Sequence, residues 1–307
     1  MICNSTLRLL FVPLAVFLAS GCSLKLIAVN QTAEVLADAG AAFNQETDLE
    51  FAAMAIPASI KTAEGFLQAH PTQPTLLKVV AEGYVNYAVG FLEDRAEALQ
   101  EDDPDQAAHL RRRAREFYRR SRDYGLRYLR LEVPELAAAL DERQMPSDEL
   151  LAQVGPDDMA GLFWTGMAWL AFINQSKMFP QELVNLPIAK RLLLRCIELD
   201  PTFFHAGALM SLAAVDAGVP KAMGGNPQEA TKKFKKVWEL TKGEHLMSYV
   251  LYGRMVGLQT GNKELYVTQM KKVLAADPDI NKDLSLANRL AQRRAKRYLA
   301  EADDLFL

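Results

Sequence analysis

Ala114-Arg115-Glu116-Phe117-Tyr118-Arg119-Arg120-Ser121-Arg122-Asp123-Tyr124-Gly125-Leu126-Arg127-Tyr128-Leu129 decides the fold class. Ala114, Phe117, Tyr118, Ser121, Gly125, Tyr128 and Leu129 recur at the three- and four-residue steps that put side chains on one face of an α-helix, and most positions between them are charged. The same spacing continues outward. Ala230, Phe234, Val237 and Trp238 follow Asn226, a natural N-cap, and Pro227, a residue suited to the first helical position. Ala291, Ala295, Tyr298, Leu299, Ala302, Leu305 and Phe306 make a third face. Residues 246–258 are apolar nearly all round, which predicts a helix buried on two sides. Helical periodicity runs from about residue 31 to 305, and no stretch alternates with the period of a strand.

Pro and Gly punctuate this pattern into short helices joined by short turns, which argues for antiparallel neighbours. Two helix ends align: Cys196-Ile197-Glu198-Leu199-Asp200-Pro201 with Val273-Leu274-Ala275-Ala276-Asp277-Pro278. Phe66-Leu67-Gln68-Ala69-His70-Pro71 is a looser third copy. The separation of the first two fits two helix-pair units of the tetratricopeptide kind, with most other consensus positions missing. The expected fold is all-α, a superhelical array of antiparallel helix hairpins with degenerate tetratricopeptide-like repeats. The polar stretch 141–159 divides an N-terminal helical half, 31–140, from a C-terminal tetratricopeptide-like half, 160–307.

The start of the chain reads as an address. Arg8 precedes the apolar run 9–19, too short to span a bilayer and of the length of a secretory signal. The exit Leu18-Ala19-Ser20-Gly21-Cys22 looks like a bacterial lipobox, with Ala19 where Leu is commonest. Residues 1–21 are then a leader, Cys22 the lipidation site, and 22–30 a lipidated tether; the alternative is an ordinary secreted protein cut near Gly21. Ser23, where an Asp resembles an inner-membrane retention signal, leans toward the outer membrane, with the protein facing the periplasm. Cys3 leaves with the leader, so Cys196 has no intrachain disulfide partner and reads as a buried structural thiol.

Composition excludes several classes. Half of the 307 residues are hydrophobic and the net charge is −3, which rules out disorder and leaves no basic excess for nucleic acid. His70, His109, His205 and His245 stand at no metal-ligand spacing, and no nucleotide, nucleophile-elbow or dinucleotide motif occurs. No cofactor or metal is expected, and the chain reads as a non-enzyme. Arg111, Arg112, Arg113, Arg115, Arg119, Arg120, Arg122, Arg127 and Arg130 crowd one helix; nearby Glu116 and Asp123 favour a solvated face over a lipid or acidic-protein patch.

The helix around 162–179 carries aromatic and Met side chains on all sides. Core packing explains most such stripes. The other reading is a ligand cavity lined by Phe163, Trp164, Met167, Trp169, Phe172 and Asn174, with Met210 and Met223 beside it and Gly224, Gly225, Asn226 and Pro227 as a rim loop.

Gly161-Leu162-Phe163-Trp164 through Asn174, then 206–218, then Gly224-Gly225-Asn226-Pro227-Gln228-Glu229-Ala230 with Phe234, and finally 270–278, are together similar to the T-component lipoproteins associated with TRAP transporters. The resemblance implies a membrane-anchored helical protein facing the periplasm, a homotrimer with an apolar channel through each subunit. It implies docking to an extracytoplasmic solute-binding protein and a small apolar, amphipathic or organic-acid ligand. The competing expectation is a tetratricopeptide-like envelope scaffold for protein assembly.

Overall fold

The computed structural model describes residues 24–176, 179–219 and 224–306. The leader, Cys22 and Met223 lie outside them. Helix α1 covers 24–38, so the region expected as a tether is helical from residue 24. It is followed by α2 (Gly40–Asn44), α3 (Leu49–Ala69) and α4 (Pro74–Tyr87), which runs through a π-helical segment, Ala88–Glu93, into α5 (Asp94–Ala98). Then come α6 (Pro104–Glu132), α7 (Pro134–Asp141), α8 (Asp148–Ala152), α9 (Met159–Asn174), α10 (Pro180–Leu183) and α11 (Leu186–Leu199). The chain closes with α12 (Phe203–Gly218), α13 (Pro227–Leu240), α14 (Leu246–Leu251), a second π-helical segment (Tyr252–Val256), α15 (Gly257–Thr260), α16 (Lys263–Ala275), α17 (Ser285–Ala300) and α18 (Ala302–Leu305). No strand occurs among the described residues.

Local chemistry sets the helix starts. Asp48, Gln73, Asp103, Asn226 and Asn262 each accept a hydrogen bond from a first-turn backbone N–H of α3, α4, α6, α13 and α16. Proline occupies the first turn of α4, α6 and α13, where its missing N–H costs nothing. The face read from the sequence of α6 is the face that packs: Ala114, Tyr118, Ser121, Gly125, Tyr128 and Leu129 are buried, and Phe117 is half-buried.

Successive helices pack as neighbours, α3 on α4, α4 on α6, α6 on α9, α9 on α11, α11 on α12 and α12 on α13. One hydrophobic cluster runs from Val29 to Leu290 across the 141–159 connection, so both halves share a core. The tightest approach is between α6 and α9. A Cβ on Gly161 would overlap the Tyr128 ring, and one on Gly125 would overlap the Thr165 side chain and press on its Cα.

A stack held only by nearest neighbours would leave its last helix far from its first. Here α17 also packs against α2 and α3. Gln45 donates to Asp283 at 2.9 Å, Arg297 to Asp94 at 2.9 Å and Tyr298 to Glu97 at 2.6 Å. The end of the chain is therefore bonded to its beginning.

Gly161→Ala should lower the unfolding free energy by about 1–3 kcal/mol through overpacking. Gly65→Ala, on α3 with nothing within 4 Å of the added carbon, should be neutral or stabilising by up to about 1 kcal/mol. Urea denaturation of the two variants checks both signs.

Candidate functional site

A cleft of about 760 Å³ lies where α17 meets the N-terminal helices. That volume suits a small organic ligand. Its apolar floor comes from Tyr87, Phe91 and Leu92 around the first π-helical segment, with Leu110 of α6 and Ala53 of α3. Wide π turns of this kind recur at functional sites because they re-aim a few side chains within an otherwise regular helix. Here the segment carries the floor aromatic Phe91 and ends beside the acidic trio Glu93, Asp94 and Glu97.

The back wall is a buried charge cluster. Asp94 is 3% exposed, and an isolated carboxylate so deep would be costly. Three arginines from one stretch of α17 meet it. Arg297 Nη2 donates to Oδ1 at 2.9 Å, while Arg293 Nε and Arg294 Nε approach at 2.7 and 3.3 Å without the alignment of a hydrogen bond. Arg294 also donates to the carbonyl of Val89 inside the π-helical segment. Arg297 and Tyr298 both donate to Glu97, at 2.8 and 2.6 Å. Glu93 accepts from Tyr118 and from Gln175, each at 2.7 Å. Burial raises the Glu93 carboxyl above its ordinary range, against the pull of Arg294. For Arg294 burial works the other way, but Glu97, Tyr298, Asp94 and Glu93 outweigh it and hold the guanidinium charged.

The mouth is different. Arg95 of α5, Arg113 of α6 and Lys296 of α17 line the cleft, are exposed, and have no ion-pair partner among the described residues. With Glu50 the remaining acid of the lining, the mouth carries excess positive charge above an apolar floor. That arrangement favours a molecule with an anionic head and an apolar body.

A family model described as TRAP transporter T-component matches residues 45–306. The chain belongs to the TRAP transporter T-component family. It is also similar to an uncharacterized protein of Treponema pallidum (strain Nichols), 24% identical, with 94% of each chain covered. Membership assigns the chain to TRAP transport as a transporter component, and with it to the bacterial envelope.

The residues of this T-component singled out from sequence occupy other places. Phe163, Trp164 and Trp169 are at most 2% exposed. Phe163 and Trp164 stack edge-on with each other at 4.8 Å and with Phe203 and Phe204 at 5.2 and 4.7 Å respectively. Phe204, His205 and Ala206 all have φ between 46° and 58°, a left-handed turn that side chains with a Cβ rarely adopt. Met167 is half-buried and its sulfur accepts from Ser211 at 2.9 Å. Phe172 is half-buried under the Arg122 guanidinium at 5.2 Å, and Asn174 is exposed at the end of α9. Met210 packs in a separate cluster with Phe234 and Trp238. Gly224 has φ +91° and Gly225 follows it. Asn226 and Pro227 begin α13, the Asn226 side chain accepting from Glu229 N at 3.1 Å. None of these residues lines the cleft at α17.

The arginine-rich face of α6 pairs on its own surface, Arg119 with Glu116 and Asp123 at 2.6 Å each. Arg113, however, turns to the cleft, and the basic run Arg293, Arg294, Lys296, Arg297 of α17 escaped sequence reading altogether. Its spacing was the available signal, since positions 293, 296, 297 and 300 share one helix face and all line the cleft. Cys196 is fully buried, and burial pushes its thiol up to about 12.

His205 and His245 come together with ring centroids 6.1 Å apart. Burial, helped by His205, lowers His245 to about 4. No group of three or more metal-ligating side chains occurs among the described residues.

Asp94→Asn should cost about 3–5 kcal/mol because it strands buried guanidinium groups. Glu116→Gln, at an exposed pair, should change stability by less than about 1 kcal/mol. Paired denaturant titrations would separate these. A second expectation concerns acid. His245 is neutral in the fold, so its contribution is complete above its unfolded value near 6.5 and is lost as pH falls toward about 4. The stability difference between the native protein and His245→Gln should therefore shrink as pH falls through that window, measured by urea midpoints across pH.

Proposed function

We propose that this T-component is a non-enzymatic accessory of a TRAP-type transporter. It docks the extracytoplasmic solute-binding protein and helps pass a small amphipathic or organic-acid solute through an internal cavity. The observation that carries the reading is the 760 Å³ cleft with Arg95, Arg113 and Lys296 at its mouth and Phe91 in its floor. A cation-rimmed apolar cleft holds such a solute by its head while shielding its body from water. The aromatic group around Phe163 and Trp164 serves as a packed wall rather than as the solute's contact surface.

Attachment is through lipid on Cys22, with the body facing the periplasm and the outer membrane favoured over the inner. No helix of the described residues is long and apolar enough to cross a membrane. The helix hairpins follow a tetratricopeptide-like superhelical course, and the assembled form is a homotrimer by resemblance.

The detergent-solubilised protein, alone and mixed with a TRAP-type extracytoplasmic solute-binding protein, is to be weighed by native mass spectrometry. A defined oligomer that takes up the binding protein is the expected result. A monomer that ignores it and instead captures envelope-assembly factors would move the assignment to a scaffold. Within the cleft, the pair Arg113→Glu and Lys296→Glu should weaken octanoate binding by at least about tenfold without lowering the melting temperature. Unchanged octanoate binding would detach the solute from this cleft.

A further inference from the structure

A second, smaller cavity of about 90 Å³ lies under the N-terminal helices. Leu36 and Ala37 of α1 with Phe43 of α2 roof it, Ile56 and Ile60 of α3 form one wall, and Leu286 of α17 closes an end. Into this apolar enclosure α4 brings the carboxylate of Glu82. Its one side-chain partner is Asn86, whose Nδ2 donates at 3.4 Å, at the long limit of a hydrogen bond. No cation pairs with Glu82 among the described residues, and Glu82 is the one titratable side chain in the lining. Asn44, Ser59 and Asn86 supply the other polar groups.

This environment differs from those of Asp94, Glu93 and Glu64. Asp94 has three arginines, and Glu93 has a tyrosine and a glutamine. Glu64, on α3, accepts from both Tyr84 and Tyr124 at 2.8 Å and pairs with Lys61. Glu82 alone faces open space with its bonding capacity mostly unused. A carboxylate accepts through about four lone-pair sites, and an apolar wall offers it nothing.

We propose that this cavity is a binding site for a small organic ammonium, its charged nitrogen on Glu82 and a body of a few carbons against Ile56, Ile60 and Phe43. The size limits the body: the space is below that of a cavity known to admit benzene, roughly 150 Å³, and suits an ethylammonium-sized chain of about two carbons. The charge agrees as well, since the half-buried Glu82 has no cation beside it among the described residues and an ammonium would supply the missing counter-charge. The ligand sign is opposite to that of the large cleft, so the two sites select different molecules and this one stands independently of the transport reading. Because α1 and α2 form the roof, an occupant also ties the segment that follows Cys22 to the body.

Burial pushes the Glu82 carboxyl up to about 7, with Asn86 opposing. For the empty protein, Glu82 stabilises the fold most below its unfolded value and loses that contribution as pH rises through about 7. Binding of an ammonium has the reverse dependence, because it needs the ionised carboxylate.

The test is calorimetric titration of the detergent-solubilised full chain with ethylammonium and with n-propanol, a neutral chain of similar size. Saturable ethylammonium binding should be at least about tenfold tighter near pH 8.5 than near pH 6, and at least about tenfold tighter than propanol at the higher pH. Glu82→Gln should abolish the preference for the cation while raising the melting temperature of the empty protein near about pH 8.5, which shows that it folds. Ser59→Leu, which fills the cavity and leaves Glu82 in place, should block both probes. Equal affinity for the alcohol and the cation, unchanged ethylammonium binding in Glu82→Gln, or no saturable binding would each overturn the proposal.

Discussion

Asp94 cannot sit 3% exposed beside an apolar floor unless positive charge surrounds it, and that requirement shapes the molecule. The charge comes from Arg293, Arg294 and Arg297, about 200 residues away on α17. Meeting it draws the last long helix of the chain onto the first ones. The helix array therefore closes on itself through an ionic contact in its interior. Such a cluster is weak evidence for net stability, because desolvation offsets most of the attraction. Its stronger effect is on specificity. An α17 docked one turn out of register would leave Asp94 buried without its arginines, which makes misdocking expensive even where correct docking adds little.

The first π-helical segment is part of the same device. It joins α4 to α5 without a loop, presents the Val89 carbonyl to Arg294, and ends at Glu93, which accepts from Tyr118 of α6 and from Gln175 just after α9, while Asp94 beside it meets α17. A regular helix through the same residues would rotate those acids relative to their partners. The cleft floor and the charge cluster thus share one irregularity of the backbone.

Most of the helical architecture was legible in the sequence, because a buried helix face repeats at a fixed spacing and the Asp, Asn and Pro residues at helix starts have local roles. The α6 face and the start of α13 lie where the pattern puts them. What escaped is non-local or hidden by a default. A π turn inserts a single residue into an otherwise helical period, which leaves no mark in the pattern around 88–93. Arginines on α17 read as a solvated face, since charge on a helix normally faces water, and nothing near residue 294 points to residue 94. His205 and His245, forty positions apart, meet only through the fold. The aromatic run of α9 was legible as apolar, but an apolar run does not distinguish a cavity wall from packed core. Phe203 and Phe204 fill the space beside Phe163 and Trp164, and Phe204 does so from a left-handed turn that no propensity would assign to Phe-His-Ala.

The free cations at the cleft mouth follow from the same electrostatics. The nearby acids are already committed: Asp94 to three arginines, Glu97 to Arg297 and Tyr298, and Glu93 to Tyr118 and Gln175. Arg95, Arg113 and Lys296 consequently have only Glu50 within the lining to answer them. On the proposed reading, an anion entering the cleft adds counter-charge beside a cluster that holds α17 in place. By linkage, whatever tightens that hold favours the anion and the anion in turn tightens the hold. The contact that closes the helix array would then also be the contact through which an occupied cleft differs from an empty one.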